Sequence, residues 1–222
     1  MIWMIAIFII LIFIICESFL PKNIRFLFKM VASFSYFFLA IYYFENLSQI
    51  LIILGLGFGV LGDLALGLRY ILPYKKECLI SGIISFFIGH LFYYIALTKT
   101  KNSFFLESFI LTITIMMLVI GIQKKSTKLN PTIKFFVYLY MTFLTFLACT
   151  SIINLIYYYV FNNFVINYFL SIGIIIFSIS DLFLNALYFK SLPLIKRKYY
   201  RYLNLIFYYG AQLLIVYSIF FY

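Results

Sequence analysis

Only two of the 222 residues are aspartates: Asp63 in GVLGDLALGL (59–68) and Asp181 in FSISDLFLNAL (177–187). Both stretches are otherwise uncharged. In a medium of hydrocarbon a carboxylate near the middle of a helix costs about 2.5–3.5 kcal/mol. That is a large fraction of a net folding stability of about 5–15 kcal/mol. A hydrogen bond between helices is one offset, of the kind small polar side chains make. Neither run holds a Lys or Arg in its core, however, and a working pair of carboxyls is the reading these residues favour. Two carboxyls that share an apolar site do not both ionise; one keeps its proton while the other carries the charge. A proton donor beside a base or charge stabiliser is the equipment of general acid–base chemistry.

Other polar groups fall at helical spacing around this pair. Gly55, Gly59, Asp63 and Gly67 recur every four residues and so share one helix face. Such a face fits a packing groove or the close approach of a ligand equally well. Ser178 and Asn185 flank Asp181 at minus three and plus four, and the single histidine, His90, precedes Tyr93 and Tyr94 by three and four. A lone His is no metal site, so a hydrogen-bonding or proton-handling role is expected of it. Tyr208, Tyr209 and Gln212 put phenols and an amide on a fourth apolar run, YYGAQLLI (208–215). Phosphate loops of the G-x-x-x-x-G-K-[ST] kind, H-E-x-x-H and G-x-S-x-G are all missing from the sequence.

The elements that must position these groups follow from composition. The chain is 66% hydrophobic and 10% charged, with a mean hydropathy of +1.12. A soluble domain of this size has too little interior for that much apolar surface. Runs near the roughly 20 residues needed to cross a bilayer occur at about 2–20, 30–44, 48–68, 79–97, 104–122, 133–159, 165–189 and 202–222. They are apolar on both faces, which excludes barrel strands and predicts an all-α polytopic membrane protein of eight transmembrane helices in a single domain, 1–222. The run at 133–159 is long enough to tilt or kink.

Charge distribution supports that count. Of 17 Lys and Arg, 15 fall in alternate loops: Lys22, Arg25 and Lys29; Arg69, Lys75 and Lys76; Lys124, Lys125, Lys128 and Lys134; Lys190, Lys196, Arg197, Lys198 and Arg201. Only Lys99 and Lys101 fall on the other side. This asymmetry orients the chain in a cell membrane with both termini outside the cytoplasm. It also assigns the net charge of +11 to the membrane surface rather than to nucleic acid. The first run carries no preceding positive charge and no A-x-A-like site, and is expected to be retained. Cys16, Cys78 and Cys149 have no metal-ligand or disulfide spacing; no metal and no cofactor is expected. The abundant aromatics are expected mainly at lipid-facing and interfacial positions.

Asp63 and Asp181 are 118 residues apart, in the third and seventh runs. This suggests two parallel four-helix halves. Both lie about four residues beyond the middle of their spans, roughly 6 Å toward the cytoplasmic leaflet at ~1.5 Å per residue. Equal depth is the condition for a shared site.

Four motifs in order, GDLAL (62–66), GHLFY (89–93), FSISDLFL (177–184) and YYGAQLLI (208–215), resemble those of the YhhN-like family, the lysoplasmalogenases. The resemblance implies hydrolysis of the vinyl ether of a lysoplasmalogen to a fatty aldehyde and a glycerophosphoethanolamine or glycerophosphocholine. It makes Asp63 and Asp181 catalytic, with His90, Tyr208, Tyr209 and Gln212 in support. Acid protonation of the β-carbon of a vinyl ether gives an oxocarbenium ion, as glycoside cleavage does with paired carboxylates. On this reading the partners are a lysophospholipid and the bilayer, and Arg69 and Arg201 stand nearest in sequence to hold the phosphate. The alternative is a proton-coupled transporter using Asp63, Asp181 and His90 as a relay. Against it, Pro21, Pro73, Pro131 and Pro193 all fall in or beside loops, leaving no proline-broken helix pair.

Overall fold

The computed structural model describes residues 1–69, 71–98, 105–123, 131–161, 168–189 and 192–222. Among them the chain is almost entirely helical, with no strand. Eight helices run in order: α1 (Ile2–Cys16), α2 (Lys22–Tyr42), α3 (Ile50–Leu68), α4 (Lys75–Thr98), α5 (Phe105–Gln123), α6 (Pro131–Phe161), α7 (Tyr168–Phe189) and α8 (Leu194–Ser218). Six are long and apolar enough to cross a membrane; α1, with 15 residues, is shorter. Outward-facing side chains such as Phe8, Leu11, Phe34 and Phe38 are exposed, as expected where the surrounding medium is lipid. Lys99, Lys101, Lys124, Lys125, Lys128 and Lys190 lie outside the described residues.

Helix starts differ from the hydropathy reading in a way that matters. The second helix begins at Lys22 rather than near 30, and the eighth at Leu194 rather than near 202. A window of apolar residues omits charged first turns, although those turns are helical. Their true starts carry proline signals, with Pro21 and Pro193 at the N-caps and Pro131 as the first residue of α6. Lys22, Arg25, Lys29, Lys196, Arg197, Lys198, Arg201 and Lys134 are therefore helical residues, not loop residues.

Helix α3 packs most extensively on α4, and α7 on α8; α6 links α5, α4 and α7, while α2 lies against α3 and α8. Glycines set the α3–α4 distance. A Cβ on Gly89 would lie 2.9 Å from the Gly55 carbonyl oxygen, and one on Gly55 would lie 2.2 Å from the Tyr93 ring. On the small-residue face of α3, Tyr93 lies over Gly55 and Phe26 over Gly67, while Gly59 faces the Gln212 amide and the Tyr36 hydroxyl; Phe86 lies over Gly62 beside that face. At the opposite end, Ser48 donates to the Tyr222 carbonyl (2.6 Å) and Gln49 to that of Ile219 (3.0 Å), joining the start of α3 to the end of α8.

Gly89→Ala should force α3 and α4 apart and cost about 1–3 kcal/mol, the range for overpacking, measured by thermal unfolding in detergent. Gly210→Ala is the matched control: nothing lies within 4 Å of its Cβ position, so stability should hold or rise by up to about 1 kcal/mol from helix propensity.

Candidate active site

Asp63 is held by three helices. Its own helix, α3, brings it into the interior, where it is 2% exposed. From α2, Lys29 Nζ approaches Oδ1 at 2.8 Å, and one turn later Ser33 Oγ donates to Oδ2 at 2.6 Å. From α8, Tyr208 OH donates to the same oxygen at 2.7 Å. The Tyr208 hydroxyl also meets that of Tyr36 at 3.3 Å, while Tyr209 OH donates to the Lys29 carbonyl at 3.4 Å. Neither aspartate helix carries a cation in its core, and Asp63 draws its counter-charge from a neighbouring helix. Lys29 supplies it, because its turn of α2 lies inside the bundle and not in a loop.

Asp181 is held differently. Its carboxylate accepts a short hydrogen bond from Tyr140 OH of α6, and no cation pairs with it among the described residues. Its backbone is fixed by a polar clamp between α7 and α8. Asn204 Nδ2 donates to the Ser180 carbonyl (3.1 Å) and Oγ (2.8 Å), and Ser180 Oγ donates to the Asn204 carbonyl (3.1 Å). Ser178, by contrast, donates to the Ile174 carbonyl of its own helix.

Both aspartates line one cavity of about 350 Å³. Its mouth is formed by the ends of α1, α2, α3, α4 and α8, and carries Arg69 and Arg201 together with other cations. At the mouth, Glu17 Oε1 lies 3.4 Å from both Arg25 Nε and Arg201 Nη1. A second, apolar space of about 40 Å³ adjoins the first, lined by Leu79, Ile83, Val137 and Met141 with Asn185. Leu66, Phe86, Asp181 and Leu184 belong to the walls of both.

His90 stands behind this wall. Its Nδ1 lies 2.6 Å from the Phe86 carbonyl. A carbonyl only accepts, so Nδ1 carries the proton and Nε2 is an acceptor. Its ring packs on Phe177 (4.6 Å between centroids) and Tyr140 (5.8 Å). Nε2, Tyr93 OH and Gln212 Oε1 are buried and have no hydrogen-bond partner among the described residues. Gln212 lies across from Gly59, near Tyr36. Tyr94 is peripheral, packed on Phe143 and Phe146 of α6.

The arrangement therefore brings together Asp63, Asp181, Tyr208, Arg69 and Arg201 around one space. It sets His90, Tyr93 and Gln212 in a second layer, and leaves Ser178 and Tyr94 outside. Sequence reading missed Lys29, Ser33 and Tyr140. The first two had a signal: Lys29, Ser33 and Tyr36 recur at four and three residues on one face of α2. Tyr140 had none, being one of 21 tyrosines.

Lys29→Met should strand the Asp63 charge. Loss of one partner of a buried pair costs about 3–5 kcal/mol; because the Lys29 side chain is 22% exposed, about 2–4 kcal/mol is expected in thermal unfolding. The double variant Lys29→Met/Asp63→Asn should recover part of that loss.

No curated protein and no solved structure matches the chain. One family matches residues 24–219, from α2 to the end of α8. On that match over nearly its whole length, the chain belongs to the YhhN family.

Proposed function

We propose that the chain hydrolyses the alkenyl ether of a lysoplasmalogen, releasing a fatty aldehyde and a glycerophospho-alcohol. One observation carries the reading: Asp181 belongs at once to the wall of a cation-rich cavity and to that of an apolar pocket. A lysoplasmalogen has the same division. Its vinyl ether is the junction between a charged headgroup with its glycerol and an apolar tail. With the headgroup among the cations and the tail toward Val137 and Met141, the ether lies beside Asp181.

The two carboxyls then have separable roles. Asp181, with a phenol as partner and no paired cation, is the proton donor. Tyr140 bonds one oxygen, leaving the other to carry the proton toward the β-carbon of the vinyl ether. The C=C π electrons take that proton, and an oxocarbenium ion forms. Asp63, matched by Lys29, Ser33 and Tyr208, is the ionised carboxylate that stabilises this cation and accepts a proton from the attacking water. As the hemiacetal C–O bond breaks, Asp63 gives the proton it took from water to the leaving alcohol oxygen and the hemiacetal hydroxyl gives its proton to Asp181, which restores both carboxyls and releases aldehyde and alcohol. His90 is a positioning residue, through its ring contact with Tyr140. The cation-lined mouth would face the cytoplasm, following the charge asymmetry of the loops.

Purified protein in detergent should release aldehyde from a lysoplasmalogen. Asp63→Asn and Asp181→Asn should each reduce release by about 10²-fold or more, the contribution expected of acid–base groups. Tyr140→Phe should slow turnover less. Thermal unfolding of each variant verifies folding. Full turnover by either folded aspartate variant defeats the two-carboxyl mechanism, and absence of aldehyde from the wild type defeats the activity.

A further inference from the structure

The mouth of the cavity holds more positive charge than its carboxylates match. Three carboxylates line it: Glu17, Asp63 and Asp181. Lys29 is taken by Asp63, and Arg25 and Arg201 share one oxygen of Glu17. Arg69 adds a further charge to the same wall. Lys22, Lys75 and Arg197 also line the cavity, and none of the three has an ion-pair partner among the described residues. These three come from the starts of α2, α4 and α8, so the surplus surrounds the opening instead of occupying one side.

Such a ring suits an anion that enters from the mouth. It suits a zwitterion poorly. A headgroup ammonium would meet seven cations, and the one carboxylate at the opening, Glu17, already has two arginines. Opposite unit charges about 4 Å apart attract by roughly 1 kcal/mol in water and 4 kcal/mol near a protein surface, enough to discriminate between headgroups.

We infer that the site selects lysophospholipids whose headgroup has net negative charge, such as phosphoglycerol, over zwitterionic phosphocholine. The recognised chemistry is a phosphate ester without a compensating ammonium. A lipid is its source, because a small apolar space shares the Asp181, Leu66, Phe86 and Leu184 wall of the cavity. This rests on the hydrolase reading for the placement of the tail, but its test does not need turnover.

The probes are saturated 1-alkyl lysophosphatidylglycerol and 1-alkyl lysophosphatidylcholine of equal chain length. Neither has a vinyl bond to cleave. Binding to the purified full chain in a nonionic detergent should favour the phosphoglycerol lipid by about tenfold, and the preference should shrink as salt rises. Lys75→Gln and Arg197→Gln should each reduce that ratio, with little effect on the phosphocholine lipid. Tailless glycerol 3-phosphate should compete weakly; competition as strong as the lipid's would overturn the lipid as the source. Equal affinities for the two lipids, or a preference for phosphocholine, would overturn the charge selection even if aldehyde release is found. Preference without aldehyde release would leave the selection standing and defeat the hydrolase reading instead. Should Arg197→Gln fold poorly, Lys75→Gln and the salt dependence still decide.

Discussion

An ionised carboxylate in an apolar bundle persists only if a counter-charge and hydrogen-bond donors are already there to receive it. The Lys29–Asp63 pair meets that condition, and much of the interior is arranged around it. The cation comes from α2, the carboxylate from α3, and the phenolic donor from α8. Two consecutive helices and one distant in sequence must therefore converge at one depth. The hydrogen bonds from Ser33 and Tyr208 complete the shell around Oδ2, and the Tyr36 and Tyr209 hydroxyls extend it between α2 and α8. The apolar contacts surrounding this network give it a low dielectric, in which each bond is stronger and each missing partner more costly.

The two aspartates have different neighbours, although their own sequence contexts look alike. Asp63 meets a cation and two donors; Asp181 meets one phenol on α6. The Ser180–Asn204 clamp fixes the turn of α7 that carries Asp181, while His90 packs directly on Tyr140 and, through Phe177, on Tyr208. Positioning in this site is thus largely aromatic, and the high aromatic content serves the interior as well as the lipid face.

Helix number and the positions of both aspartates were legible because hydropathy and isolated charge are one-dimensional signals. Where hydropathy ends, that legibility ended too. Lys29 read as a loop residue because a lysine breaks an apolar window, yet its long stem lets it stay in the bundle and reach a carboxylate. Ser178 and Ser180 could not be ranked from spacing. Ser178 satisfies itself on its own helix, and only the position of Asn204 on α8 makes Ser180 the interhelical residue. Tyr140 became identifiable only when α6 was seen to pass beside α7. The glycine face of α3 admitted two readings, and it is divided: rings from α4 and α2 lie over Gly55 and Gly67, while Asp63 and Gly67 also line the cavity.

Helix α6 has 31 residues, a length of about 46 Å at 1.5 Å per residue, well beyond the ~30 Å of bilayer hydrocarbon. Hydrophobic mismatch of that size is relieved by leaning, and the lean changes as the surrounding membrane thins or thickens. Tyr140, the phenol bonded to Asp181, rides on this helix, whereas Asp63 and its partners belong to α2, α3 and α8. The lean of α6 therefore reaches Asp181 through the Tyr140 hydrogen bond, whereas the Asp63 network has no member on α6.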